Sequence, residues 1–318
     1  MGSLPCQQQV VHAGEERQGY IRIALSSINM DKQKRSLLIT LAVLAVIGTA
    51  WHFTWSGREQ ESPDNQVIDT LMEAAGKDVM SLLEVPYRLE DNASNIIEHM
   101  GYTLSYNNEF RVPNWVAYEL RESEINTGFR SREDRFEPDP MIKGRQAYDR
   151  DYVGSGYDRG HMAPAADMRW SSQTMKECFY LSNVCPQNHN LNSGAWNDLE
   201  KQVRYEVKYH KTIWIVCGPI FENTYPKHIG SNHVMVPDSF FKALLAKRKD
   251  GSYASIGFIF PNKACERNLM DYAMTVDELE SKLGMDLFFN LETKAQDKAE
   301  SSMDPYGDWR IRDVILKD

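Results

Sequence analysis

Residues Tyr157 to Trp170 read YDRGHMAPAADMRW, and Leu181 to Glu200 read LSNVCPQNHNLNSGAWNDLE. The first stretch is too polar for a core and too irregular for a helix, yet it sets an acid, a guanidinium, a glycine and an imidazole side by side. Alone, a histidine next to a glycine is more often a loop or structural residue than a reactive one. The second stretch gives it company. A helix beginning near Asn192 places Asn192, Trp196 and Glu200 at i, i+4 and i+8, so that an amide and a carboxylate share one side of it.

Those residue types suit one chemistry. A neutral amide oxygen is a hard ligand fit for Mg2+, which keeps several waters and recruits substrate phosphate oxygens instead of a full protein cage. Glu200 can then hold one of the ion's waters. Asn192 has a competing reading as a helix cap, which would use the same oxygen. Neutral His161, with an unperturbed pKa of about 6.5, can take a proton from water as general base, and Arg159 can clamp a phosphate. Phosphodiester hydrolysis needs a nucleophile, charge stabilisation at phosphorus and help for the departing oxygen, and this set supplies all three. The excursion from Arg121 to Arg169 holds eight arginines and one lysine against ten acidic residues, so most of its charges read as a solvated, salt-bridged loop. Within it Arg132 and, behind it, Arg135 precede FEPDP and are the phosphate candidates. Arg204, one turn beyond Glu200, is either a further phosphate contact or a structural ion-pair partner.

Around this block the chain alternates strands and helices without a regular βαβ rhythm, which favours an α+β fold. GYTLSYN and NWVAYEL read as strands, with Pro113 and Asn114 as the break between them. CFYLSNVCP is a short strand-like run, and NSGAWNDLEKQVRYEVKYH has helical spacing with Trp196, Leu199, Val203 and Val207 on one side. TIWIVCGPIF reads as a buried strand ended by Gly218 and Pro219. FFKALLA and YASIGFIFP read as a strand pair around KRKDGS, and TVDELESKLGM as a helix capped by its threonine. Five cysteines (Cys6, Cys178, Cys185, Cys217 and Cys265) lack metal-finger spacing and read mostly as small core residues, with room for one disulfide outside the membrane.

Taken together, DRGH, LSNVCPQ and LNSGAWNDLE resemble, in order and spacing, the active-site block of the DNA/RNA non-specific endonuclease family, the ββα-metal-finger nucleases. The likeness extends from about Val85 to Leu291 through NWVAYEL, GFRSREDRFEPDP, GPIF and VPDSFFK. It implies a central antiparallel sheet flanked by helices, with a β-hairpin and a helix gripping the ion. It further implies that His161 is the general base, Asn192 the direct Mg2+ ligand (Mn2+ being a substitute) and Glu200 the holder of a coordinated water. By the same resemblance Arg159 supports the phosphate, Asn183 orders the site, and either Arg132 or Arg135 contacts substrate. DNA and RNA are the implied substrates, with little selectivity for base or sugar, and a homodimer is an implied assembly.

The remaining sequence bounds location. The charge-free run from Ser36 to Gly57 would span roughly 33 Å as a helix, enough to cross a bilayer. Lys32, Lys34 and Arg35 precede it and Glu59, Glu61 and Asp64 follow, so the positive-inside rule keeps the amino terminus cytoplasmic and exports the rest. The competing reading is a cleaved signal starting at Met30, with small residues ending at Ala50, and a secreted product. The expected organisation is a segment over 1–35, part of which reads as an extension ahead of Met30, an anchor or signal over 36–57, a linker over 58–84 and a nuclease domain over 85–318 in the cell envelope. With 36 basic and 45 acidic residues the net charge is −9, which excludes coating nucleic acid through bulk positive charge. A narrower metal-dependent phosphoesterase and a non-catalytic envelope module that binds nucleic acid remain as alternatives.

Overall fold

The computed structural model describes residues 83–87, 96–125, 135–223, 225–266 and 268–311. The chain groups into one unit of residues 1–83 with 90–96 and another of 84–89 with 97–318. The first, save Leu83 and Ile96, lies outside the described residues, and with it the apolar run 36–57 and most of the linker 58–84. Among the described residues no helix is long and apolar enough to cross a membrane.

In chain order the strands are β1 (Ile96–Glu98), β2 (Thr103–Asn107), β3 (Val112–Arg121), β4 (Asp158–His161), β5 (Val184–Gln187), β6 (Thr212–Ile220), β7 (His228–Ile229), β8 (Val234–Met235), β9 (Ser239–Lys247), β10 (Tyr253–Pro261) and β11 (Ala273–Met274). The main helices are α1 (Ser172–Cys178), α2 (Asn197–His210), α3 (Val276–Leu283) and α4 (Thr293–Glu300). One large sheet runs in the order β1-β2-β3-β6-β9-β10-β11. From β2 to β11 every neighbouring pair is antiparallel. This is the α+β architecture with a central antiparallel sheet that the sequence leads one to expect.

The period-two pattern of β9 explains why both faces of that sheet are covered. Phe240, Leu244 and Ala246 join the core that α2 completes with Leu199, Val203 and Val207. Trp196 lies across that face, 5.7 Å from the ring of Phe240 and 6.1 Å from Phe260. Each such buried side chain contributes about 1.5–3 kcal/mol relative to exposure. Phe241, Ala243 and Leu245 alternate with them and are also buried. On β10 the residues of the second parity meet other helices: Gly257 lies against Leu279 of α3, and the Ser255 hydroxyl donates to the Ala299 carbonyl of α4 at 2.9 Å. The expected cap of α3 is present, Thr275 and Glu278 closing a reciprocal capping box, and Gly284 ends the helix at φ 63°.

Two expected breaks lie elsewhere. Pro113 is inside β3, and the turn between β2 and β3 falls at residues 108–111, where Arg111 takes φ 58°. Likewise β6 runs through Gly218 and Pro219 to Ile220. Both prolines sit where a strand has one neighbour only: β3 pairs with β6 from Val116 onward, and β6 pairs with β3 up to Cys217. A missing N–H costs no ladder bond there. CFYLSNVCP is also only partly strand. It carries the end of α1, a 3-10 turn over Leu181–Asn183, and β5.

Gly218 tolerates no side chain, because a Cβ there would lie 2.6 Å from the Asn114 carbonyl oxygen and 2.9 Å from the Phe241 ring. Gly218→Ala is expected to lower stability by about 1–3 kcal/mol, read as a reduced urea midpoint with an unchanged slope.

Candidate active site

DRGH forms β4 and pairs antiparallel with β5, Asp158 opposite Gln187 and His161 opposite Val184. A helical segment follows at once, so the chain builds strand, strand and helix around one point. Gly160 is required by that pairing: a Cβ would meet the Gln187 side chain at 2.2 Å, and Gln187 is itself fully buried.

The helical segment gives the capping role to a residue other than Asn192. The cap is Asn188, whose side-chain oxygen accepts from the backbone N–H of Asn190 at 3.0 Å and of Leu191 at 3.3 Å. Asn192 instead donates through Nδ2 to Asp158 Oδ2 at 2.9 Å, and the same oxygen meets Nδ1 of His189 at 2.9 Å. A carboxylate only accepts, so the nitrogen of the amide must face Asp158 and Oδ1 is turned away from it. A π-helical turn over Asn192–Trp196, broken at Gly194 (φ −105°, ψ −116°), then leads into α2.

At the other end of β4, the ring of His161 is held between two aromatics, Phe136 at 5.2 Å and Phe179 edge-on at 4.9 Å. Arg159, two residues earlier and on the same strand face, extends over Phe136 and Tyr152. Its Nε lies 2.6 Å from Asp149 Oδ1 and Nη2 donates to the Asp149 carbonyl. Asn183 is fully buried. Its oxygen accepts from the Ala163 N–H at 2.9 Å, and its nitrogen donates to the carbonyls of Ala163 and Cys178. It staples the chain just after His161 to the start of β5, an ordering role made through backbone contacts alone.

Glu200, half-buried on the first turn of α2, belongs to a polar cluster beneath the helix. Burial pushes its carboxyl up to about 7, against the pull of Lys242 and Arg204, while Asp167 pushes it further up. Arg204 is engaged within this cluster, donating to Asp167 Oδ1 at 2.9 Å, and the Tyr118 hydroxyl donates to Asp167 Oδ2 at 3.0 Å. Among the described residues, one group of three acids comes close enough to share an ion, Asp277, Glu280 and Glu300 on α3 and α4. Beside Asn192 stand Asp158 and, on the same carboxylate oxygen, His189.

Residues 85–294, which include this strand pair and the helix after it, match the family model of the DNA/RNA non-specific endonucleases. The chain belongs to that family. It is 34% identical over 212 residues to the mitochondrial nuclease EXOG of Mus musculus, covering 61% of this chain and 57% of that protein. Mitochondrial endonuclease G of Bos taurus is 35% identical over 207 residues, 61% of this chain and 69% of that one. Nuclease C1 of Cunninghamella echinulata is 31% identical over 214 residues, 63% of this chain and 85% of that one. The match thus spans less than two thirds of the EXOG length. Among solved structures, a complex of EndoG with EndoGI, described as a mechanism of EndoG inhibition, superposes with a TM-score of 0.58 at 28% identity, over 63% of this chain and 88% of that one.

The family's arginine-bearing loop is placed in part. Arg132 lies outside the described residues, and Arg135 is exposed, with Nε 3.2 Å from Glu137. The neighbour of Arg135, Phe136, is the one that reaches His161. The loop behind it is fixed by Asp139, fully buried, which bonds His99 Nε2 at 2.8 Å and accepts from the Ser182 hydroxyl. Composition singled out none of Phe136, Asp139 or His99, although the DP of FEPDP marked the loop.

Burial lowers the proton affinity of His99, but hydrogen bonds and charge from Asp139 and Glu177 outweigh it and lift the pKa from 6.5 to about 9. A raised histidine pKa gives stability that is complete below pH 6.5 and fades as the pH climbs through about 9. His99→Gln is therefore expected to melt lower at pH 6, by about 2–4 kcal/mol, and to lack that part of the decline toward pH 9.5. Thermal melts across that range check it.

Proposed function

We propose that this chain is a divalent-cation-dependent endonuclease that hydrolyses phosphodiester bonds in DNA and RNA, with Mg2+ as its ion. The observation that carries the reading is Asp158, which grips Asn192 by its nitrogen from the strand that ends in His161. That grip presents the amide oxygen, the donor a hard cation prefers. When bound, the cation supplies positive charge to a phosphate oxygen and to the departing oxygen.

The rest falls to side chains. His161, held by Phe136 and Phe179, takes the proton of the attacking water. Glu200, as a carboxylate, orders water on the helix side. Arg159, backed by Asp149, offers guanidinium donors to the phosphate. Arg132 or Arg135 adds a contact from the loop, and Asn183 keeps His161 in register. With backbone phosphate and cation as the points of recognition, neither base nor sugar is selected. The run from Ser36 to Gly57 supports a place in the cell envelope, anchored in the membrane or secreted after cleavage. The family supports a homodimer.

Supercoiled plasmid and homopolymeric RNA incubated with Mg2+ provide the test. Internal cleavage of both, abolished by EDTA, is expected; release of terminal phosphate without cutting would point to a narrower phosphoesterase. His161→Ala is expected to lose at least 1,000-fold in kcat with DNA binding retained. Asp158→Ala should raise the Mg2+ needed for half-maximal rate by about 10–100-fold, and Asn192→Ala should do so further or abolish turnover. An unchanged Mg2+ titration in either variant removes Asn192 from the ion.

A further inference from the structure

β9 carries a lysine where its pattern calls for an apolar side chain. Lys242 stands between Phe240 and Leu244 on the face that meets α2, and is 1% exposed. Nζ lies 4.5 Å from the centre of the Trp196 ring and has no hydrogen-bond partner among the described residues. The face of an indole attracts a cation but does not replace its lost hydration. An ammonium held this way needs an opposite charge nearby.

The position of Lys242 touches both arms of the site. Its strand partner on β6 is Cys217. The Cys217 thiol donates to the carbonyl of Met162, the residue after His161, at 3.3 Å. On the helix side, Trp196 lies four residues after Asn192 and four before Glu200. The charged groups around Glu200 are Lys242 from β9, Arg204 from its own helix and Asp167 from the loop before α1. Trp196, Tyr118 of β3 and Cys217 of β6 belong to the neutral surround. Arg204 already gives a charged hydrogen bond to Asp167. The acids Asp167 and Glu200 face the bases Arg204 and Lys242, and Lys242, unlike Arg204, gives no hydrogen bond to either acid.

We propose that Lys242 is a positioning residue of the catalytic site: its ammonium, seated on the face of Trp196, is a counter-charge that lets Glu200 become a carboxylate at a lower pH than its burial alone would allow. This rests on the role given to Glu200 above. Lys242 touches no substrate, and acts through Glu200 and through Trp196 at the root of α2.

The test uses the full chain with Lys242→Met, Lys242→Arg, Glu200→Gln and the Glu200→Gln/Lys242→Met pair. Plasmid cleavage with Mg2+ is followed from pH 6 to 9.5, and each metal-free protein is melted over the same range. Lys242→Met is expected to lose about fivefold or more in kcat at pH 7, with KM within twofold, and to recover most of it by pH 9. Its acid limb moves up by one pH unit or more, while Lys242→Arg keeps the original limb. In the melts, Lys242→Met lowers Tm more in the unaltered background than beside Glu200→Gln, because the amide leaves no carboxylate unbalanced. A loss of the same factor at every pH, or equal Tm penalties in the two backgrounds, overturns the proposal. If Lys242→Met does not fold, Lys242→Gln enters the same comparisons. Should the unaltered chain cut neither plasmid nor RNA, the nuclease reading fails, while the melting cycle still decides whether Lys242 and Glu200 are paired.

Discussion

One carboxylate oxygen organises the candidate site. Oδ2 of Asp158 receives the Asn192 amide nitrogen and meets the His189 imidazole, and so fastens a helix start to a two-stranded ribbon. The ribbon is short, four residues a side, and would not hold a register alone. Its register is set by what it packs on: the buried Asn183 staple, the close fit of Gln187 against Gly160, and the large sheet behind. The reactive groups thus ride on a small element whose geometry is borrowed from a large one.

The sheet itself is unusual in what it buries. Its strands alternate so that one face holds α3 against Gly257 and α4 through the Ser255 hydroxyl, while the other, toward α2 and the ribbon, admits charge. Asp167, Glu200, Arg204 and Lys242 collect there, with the Tyr118 hydroxyl among them. Partly buried charges in low dielectric interact strongly and are costly when one is missing. The polar face is therefore a coupled unit, and the aromatic rings of Trp196, Phe240 and Phe260 shield it from solvent.

Much of this was legible in the sequence for a physical reason: period-two and period-3.6 patterns report which side of an element is dry. β6, β9, β10 and α2 followed from such patterns, as did the cap on α3. Prolines misled because a proline excludes a strand only where both edges are paired, and pairing is not written locally in Pro113 or Pro219. Asn192 was ambiguous between cap and ligand because one residue type serves both; its neighbour Asn188 took the cap, four residues upstream. The i, i+8 spacing to Glu200 crosses a π turn broken at Gly194, so the ideal helical wheel does not apply between the two residues. Phe136 and His99 were invisible because their partners lie 25 and 40 residues away in sequence.

Cys178, Cys185 and Cys217 sit as thiols in the core, and Cys265 lies half-buried beside β10, with no disulfide among the described residues. Cys217 is more than a filler, since its Sγ–H is spent on the Met162 carbonyl next to the strand that ends in His161. Burial pushes its ionisation up to about 11, which keeps it out of thiolate chemistry. Cys217 thus serves the fold as a hydrogen-bond donor, and replacing it would cost the large sheet a tie to the chain just after His161.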